Sequence, residues 1–145
     1  MKNIVEDLIP RFVLSAAKDA ACFLKDLLWW RREPLIPPTR LMFDGPRDIS
    51  AFKKNGEEYL RYYITLCGLK PNEKMLDVGC GIGRKTVPLT RYLDKDGRYD
   101  GFDIAGAGID WCKNNISARY PNFDFKLVDV FNKHYNPAGK VKASE

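Results

Sequence analysis

The amino-acid sequence predicts an α/β fold built around a parallel β-sheet. From Lys74 onward, short strand-like segments alternate with helical segments in the order β-α-β-α-β. The first strand runs straight into a glycine-rich turn, and aspartates stand near the ends of the three strands, at Asp77, Asp103 and Asp129. Because parallel strands all point the same way, their carboxyl ends lie at one edge of the sheet, and we expect these acids to share that edge.

Length and composition are those of an ordinary globular domain. The chain has 145 residues, of which 45% are apolar and 30% charged, and its formal net charge is +5. Basic residues are scattered, so a nucleic-acid groove is not favoured. The four cysteines lie far apart and His134 is the single histidine, so no zinc site is predicted, and we expect reduced thiols in a cytoplasmic protein. No signal peptide or membrane span is predicted.

Residues 1–38 are predicted to form an amphipathic helical extension before the main domain, which covers residues 39–145. The helix spans residues 11–30, where apolar side chains occupy one half of the helical wheel and charged side chains the other. We expect the apolar half to pack on the main domain or on a partner. Contact of residues 11–32 with a membrane is less favoured, because the polar half carries as many acids as bases.

The main domain is predicted to begin with a loop over residues 39–55, which includes a turn at Asn55-Gly56. A helix over residues 57–67 follows, because its apolar side chains repeat on one face. Gly68 stands where a C-terminal cap belongs.

The alternating segments are predicted as follows: strand one over 74–79, a helix through about residue 93, strand two over 98–103, a helix over 107–119 and strand three over 123–129. Arg84 and Lys85 are expected to be solvated residues at the start of the first of these helices. The segment after residue 132 is expected to be weakly structured.

The glycine turn suits close approach of a ligand. Gly79, Gly81 and Gly83 lack Cβ atoms, and the turn precedes a helix N-terminus whose N–H groups face the crevice. The dinucleotide fingerprint G-x-G-x-x-G is not completed, because Arg84 stands in the place of its third glycine. Asp77 would repel a pyrophosphate and suits a ligand with a positively charged amine. These features favour an adenosine-containing cofactor other than a dinucleotide.

The pattern D-x-G-x-G-x-G from Asp77 to Gly83, followed by Asp103 and Asp129 at the ends of the next two strands, resembles the class I S-adenosylmethionine-dependent methyltransferases. The resemblance covers roughly residues 57–132. It implies a Rossmann-like sheet, S-adenosylmethionine as cofactor and methyl transfer to an acceptor. Because the basic residues are dispersed, we expect a small-molecule acceptor and not a nucleic acid.

The resemblance also implies a set of cofactor-binding residues. Asp77 would hold the methionine amino group, Asp103 the ribose hydroxyls and Asp129 the adenine amino group. Further contacts would come from the glycine turn and from the residues that follow the two later acids, namely Gly79, Cys80, Gly81, Gly83, Ile104 and Val130. Capping of a turn is the structural alternative for Asp103 and Asp129. No catalytic residue and no metal site are assigned.

The resemblance implies a seven-stranded sheet in the order 3-2-1-4-5-7-6, of which this sequence supplies strands 1 to 3. Strand 1 would then be an exposed edge, and half of the cofactor crevice would be missing. The leading hypothesis is therefore the N-terminal, cofactor-binding half of a methyltransferase. Two alternatives remain: a non-catalytic remnant that binds the cofactor, a partner protein or itself through the exposed edge, and a nicotinamide-dependent oxidoreductase.

Overall fold

The computed structural model describes residue 20, residues 33–134 and residues 136–142. Within these residues, three parallel strands form an open sheet in the order β1-β2-β3, with β1 at Lys74–Val78, β2 at Arg98–Asp103 and β3 at Phe123–Leu127. In register, Asp77 lies opposite Gly101, and Gly101 lies opposite Phe125. The predicted α/β fold with a parallel sheet is confirmed.

The helices that accompany the sheet are α1 at Ile49–Thr65, α2 at Thr86–Leu89 and α3 at Gly106–Cys112. The last of them continues as a π-helical turn over Lys113–Ser117, and a 3-10 turn at Thr39–Leu41 precedes α1. Helix α3 packs against β2 and β3, while α1 packs on α2. The predicted helix over residues 11–30 lies outside the described residues except for Ala20, which is helical and exposed.

The two faces of the sheet differ in burial. One face carries Tyr99, Phe123 and Phe125, which are fully buried, and the Tyr99 ring stacks on Phe123 with 5.3 Å between centroids. Such an aromatic pair contributes about 0.5–1.5 kcal/mol beyond the area it buries. On the opposite face, Leu76 and Val78 of β1 are 66% and 68% exposed. Strand β1 therefore forms an open edge within the described part of the chain, as the sequence predicts.

The prediction of a loop over residues 39–55 is wrong in its second half, where α1 begins. Asp48 caps this helix by accepting a hydrogen bond from the N–H of Ala51 at 2.7 Å. Phe52, Gly56 and Leu60, spaced by four residues, form the buried side of the helix. The Asn55-Gly56 pair thus lies inside a helix, and its turn signal is overridden by the packing of this face.

Gly56 is required by a close helix contact. A Cβ atom at this position would stand 2.6 Å from the carbonyl oxygen of Arg84 and 3.0 Å from a side-chain carbon of Pro88. The glycine therefore lets α1 approach the start of α2 more closely than any other residue would allow.

The helix predicted to run through residue 93 is shorter in the structure. Helix α2 makes one α-helical turn, after which the chain continues with tighter hydrogen bonds, from Thr90 N–H to the Val87 carbonyl and from Tyr92 N–H to the Leu89 carbonyl. Pro88 is tolerated inside this single turn because the N–H groups of a helix's first turn have no partner within the helix. The segment after residue 132 is also more ordered than predicted, since Asn132 pairs with Asn136.

We expect Gly56→Ala to lower the free energy of unfolding by about 1–3 kcal/mol, the usual effect of adding atoms to a tight contact. Helix propensity alone would favour alanine by up to about 1 kcal/mol, so a loss of stability identifies the contact with α2 as its cause. Urea denaturation followed by circular dichroism measures the change. The control is Lys54→Ala on the exposed side of α1, and equal stability of Gly56→Ala and the wild type would contradict the close contact.

Candidate functional site

The glycine turn joins β1 to α2 at the carboxyl end of the sheet. Gly79, Gly81 and Gly83 have φ angles of 82°, 58° and 79°, in a region that residues with a Cβ atom rarely adopt. The N–H groups of Gly79 and Cys80 donate hydrogen bonds to the carbonyl oxygen of Phe102 in β2, at 2.9 and 3.1 Å. The turn is therefore held against the end of the neighbouring strand.

Asp103 at the end of β2 closes this arrangement. Its Oδ2 accepts a hydrogen bond from the N–H of Gly81 at 2.7 Å, and its Oδ1 accepts one from the N–H of Ala105 at 2.8 Å. The carboxylate thus links the glycine turn to the loop that starts α3. A carboxylate oxygen accepts more than one hydrogen bond, so each oxygen retains capacity for a ligand hydroxyl.

Asp77 lies beneath the turn and is only 7% exposed. Its Oδ2 accepts a hydrogen bond from the Tyr99 hydroxyl at 2.7 Å, and the same hydroxyl accepts one from Thr86 Oγ1 at 2.8 Å. Its Oδ1 lies 3.9 Å from the Lys85 ammonium nitrogen. The carboxylate is therefore engaged by groups of the protein itself, on the buried face of the sheet.

Burial controls the protonation of the neighbouring groups. It raises the pKa of the Cys80 thiol to about 12, with further contributions from the negative charges of Asp77 and Asp103. Burial and Asp77 also raise the pKa of Tyr99 far above its ordinary value. Tyr99 therefore remains a hydrogen-bond donor to Asp77 at neutral pH, and Cys80 remains a protonated thiol without nucleophilic character.

The other predicted site residues lie along the same edge of the sheet. Ile104 follows Asp103 directly and is half-buried. Asp129 and Val130 come after the end of β3 and are exposed. The Asp129 carboxylate accepts a hydrogen bond from the Asn136 side chain at 3.3 Å.

Arg84 corrects a prediction, because it is 6% exposed instead of solvated. Its Nη2 donates hydrogen bonds to the carbonyl oxygen and to the carboxylate Oδ1 of Asp44, the latter at 3.2 Å, and its guanidinium lies 5.1 Å from the centre of the Phe52 ring. Asp44 is thereby held beside the glycine turn. Sequence reasoning missed this residue, because Asp44-Gly45-Pro46 has the signature of an ordinary surface turn and its partner lies forty residues away.

A cavity of about 310 Å³ lies beside Arg84, between α1 and α2, with Phe52 and Pro88 in its walls. None of the predicted cofactor-binding residues lines it. Among the residues that the structure describes, no cluster of three or more metal-ligating side chains forms, and no helix is long and apolar enough to cross a membrane.

Residues 69–140 match the model of a family described as a methyltransferase domain. The chain is 30% identical over 90 residues to a protein of Invertebrate iridescent virus 6 named as a methyltransferase, covering 60% of this chain and 32% of that protein. It is 28% identical over 65 residues to a protein of Thermoplasma acidophilum named as a cobalt-precorrin-6B C(15)-methyltransferase, covering 43% and 32%. A solved structure of coclaurine N-methyltransferase bound to N-methylheliamine and SAH matches with a TM-score of 0.44 and 23% identity, over 52% of this chain and 22% of that one. The chain spans about a third of the length of the two curated relatives.

We expect Tyr99→Phe to lower the free energy of unfolding by about 1–3 kcal/mol, because it leaves the buried Asp77 carboxylate without its donor. Urea denaturation measures the loss. Tyr62→Phe serves as the matched control, since it removes a hydroxyl that donates to Glu58 on the exposed side of α1. If the two substitutions have the same effect, the hydrogen bond to Asp77 does not support the fold.

Proposed function

We propose that this chain is the cofactor-binding part of a class I S-adenosylmethionine-dependent methyltransferase, an enzyme that methylates an acceptor, on the premise that residues 69–140 match the model of a methyltransferase domain. The observation that carries the proposal is the hydrogen bond from the Gly81 N–H to Asp103. It fixes a glycine turn at the carboxyl ends of two adjacent parallel strands, the edge where open α/β sheets bind ligands.

The proposed cofactor contacts follow from the free capacity of these groups. Asp103 would accept hydrogen bonds from the ribose hydroxyls, and Ile104 would pack against the adenine ring. The backbone of Gly79, Cys80, Gly81 and Gly83 would contact the methionine portion. A Cβ atom at Gly79 would meet no atom within 4 Å, so the space above this residue is open to a ligand.

Two further contacts are proposed at the adenine end, where Asp129 would accept a hydrogen bond from the amino group and Val130 would add a backbone contact. Asp77 has a different position, because Tyr99 engages its carboxylate beneath the turn. It would supply negative charge to a cationic cofactor from below, through Coulomb attraction in a partly buried site.

Methyl transfer requires the protein mainly to align the cofactor with the acceptor. S-adenosylmethionine supplies an activated methyl group, which passes to the acceptor by in-line displacement at the sulfonium. The residues of this chain would hold the cofactor in one orientation and shield it from water.

The acceptor is proposed to be a small molecule, since the basic residues are dispersed over the sequence. The cysteines among the described residues are free, which supports a reducing compartment such as the cytoplasm.

Calorimetric titration with S-adenosylhomocysteine tests the cofactor proposal. We expect saturable binding by the wild-type chain and at least about tenfold weaker binding by Asp103→Ala, because a charge-assisted hydrogen bond to the ligand is lost. The control is Asp100→Ala, which removes a carboxylate of the same strand that pairs with Arg98 on the open face. Failure of the folded wild-type chain to bind would overturn the proposal.

Exposure of β1 favours a second candidate function, the binding of another chain by strand addition. Leu76 and Val78 expose apolar surface next to a strand edge whose backbone groups have no strand partner among the described residues. Edges of this kind are templates for pairing with a second copy or a partner protein. The occupant proposed here is a second copy of this chain.

Sedimentation velocity measures this association. We expect the wild-type chain to form dimers, and Val78→Lys to shift it to monomers, because a lysine at a strand edge opposes pairing. Leu66→Lys is the control, since Leu66 is strongly exposed but lies at the end of α1. A wild-type chain that stays monomeric at all concentrations would argue against self-association.

A further inference from the structure

Residues 42–45, called the strap below, lie beside the glycine turn and the start of α3. Met42 anchors the strap in the core. A Cβ atom at Gly108 would stand 3.2 Å from the Phe43 ring, and one at Gly81 would stand 3.1 Å from Asp44 Oδ2. The strap therefore contacts both the glycine turn and the start of α3, next to the site proposed for the cofactor.

Arg84 fixes the orientation of Asp44 within the strap. It binds both the carbonyl oxygen and the carboxylate Oδ1 of Asp44, while Phe52 packs against its guanidinium. Gly45, with a φ angle of 100°, allows the chain to turn at this point next to the Arg84 side chain. Because the arginine is almost completely buried, the Asp44 carboxylate is held in place before any ligand arrives.

Asp44 also differs from the two other carboxylates of the site in its free hydrogen-bond acceptor capacity. Both oxygens of Asp103 accept backbone N–H groups, and Asp77 is buried against Tyr99. The Asp44 side chain is 39% exposed, and no group in the described part of the chain donates a hydrogen bond to its Oδ2. This oxygen lies directly against Gly81, whose lack of a Cβ atom leaves room for it.

We propose that Asp44 binds the α-ammonium group of S-adenosylmethionine through Oδ2. The inference rests on the proposed function and adds a residue to its site. The cofactor is positively charged at its sulfonium and its α-ammonium, and of these two charged groups only the ammonium carries N–H donors. A preoriented carboxylate beside the turn gives it a charge-assisted hydrogen bond, which is stronger than a neutral one. Asp44 would thus make the contact with the α-ammonium group that the family resemblance assigns to Asp77.

Two ligands separate this role from a general effect on the site. S-adenosylhomocysteine carries the α-amino group, whereas 5′-methylthioadenosine has the same adenosine and thioether without the amino-acid portion. We expect Asp44→Asn to weaken calorimetric binding of S-adenosylhomocysteine by about tenfold or more, and to leave binding of methylthioadenosine unchanged. Asp44→Ser removes the same charge independently and should show the same selectivity. Asp110→Asn, which removes an exposed charge from α3, should change neither affinity.

The remaining outcomes are distinct from one another. Equal weakening of both ligands by Asp44→Asn and Asp44→Ser would mean that Asp44 shapes the strap, and would overturn the assignment. Unchanged binding of S-adenosylhomocysteine would overturn it as well. Binding of methylthioadenosine but not of S-adenosylhomocysteine by the wild-type chain would overturn it while leaving the adenosine site intact. If the folded wild-type chain binds neither ligand, the proposed function fails and the Asp44 assignment fails with it.

Discussion

The hydrogen bond between the Tyr99 hydroxyl and Asp77 is the interaction on which the rest of the structure depends. The Tyr99 ring stacks on Phe123 and packs at a tilt against Phe125, both on β3, so its position is fixed by the core. Its hydroxyl accepts from Thr86 at the start of α2 and donates to Asp77 on β1. A buried carboxylate without a donor is costly, and Tyr99 makes an acid tolerable next to the hydrophobic core. The glycine turn leaves β1 immediately after this tethered residue, so the core fixes the point where the turn begins.

The uncovered face of the sheet is not uniform, and its polarity changes from strand to strand. On β2 and β3 it carries ion pairs, between Arg98 and Asp100 and between Lys126 and Asp124. Such exposed pairs contribute little stability, but they keep this part of the face compatible with water. Apolar exposure is concentrated on β1, at Leu76 and Val78. Among the described residues, the apolar surface of this face therefore lies mainly at the β1 edge, which is also the edge that borders the glycine turn.

Sequence patterns predicted the features that depend on local spacing. Strand β2 begins and ends where its pattern indicates, and the turn after Asp94 forms because its carboxylate accepts the N–H groups of Asp96 and Gly97. Local signals failed where a distant contact decides the outcome. The Asn55-Gly56 pair predicts a turn, but packing against the Arg84 carbonyl makes the same glycine a helix-contact residue. The burial of Arg84 depends on Asp44 and Phe52, far away in sequence, so no pattern around Arg84 reveals it.

The three aspartates around the glycine turn have different roles because they differ in burial and in hydrogen-bond partners. Asp77 is buried and its Oδ2 accepts the Tyr99 hydroxyl, so a substitution there would act first on the fold. Asp103 is half-buried and holds two backbone N–H groups, so it shapes the turn and keeps only its remaining lone pairs for a ligand. Asp44 has a side chain that is 39% exposed, and it is oriented by an arginine instead of by the turn. A carboxylate oxygen of this edge that accepts no hydrogen bond within the described residues, Asp44 Oδ2, therefore lies outside the glycine pattern, on a segment that precedes the sheet in sequence.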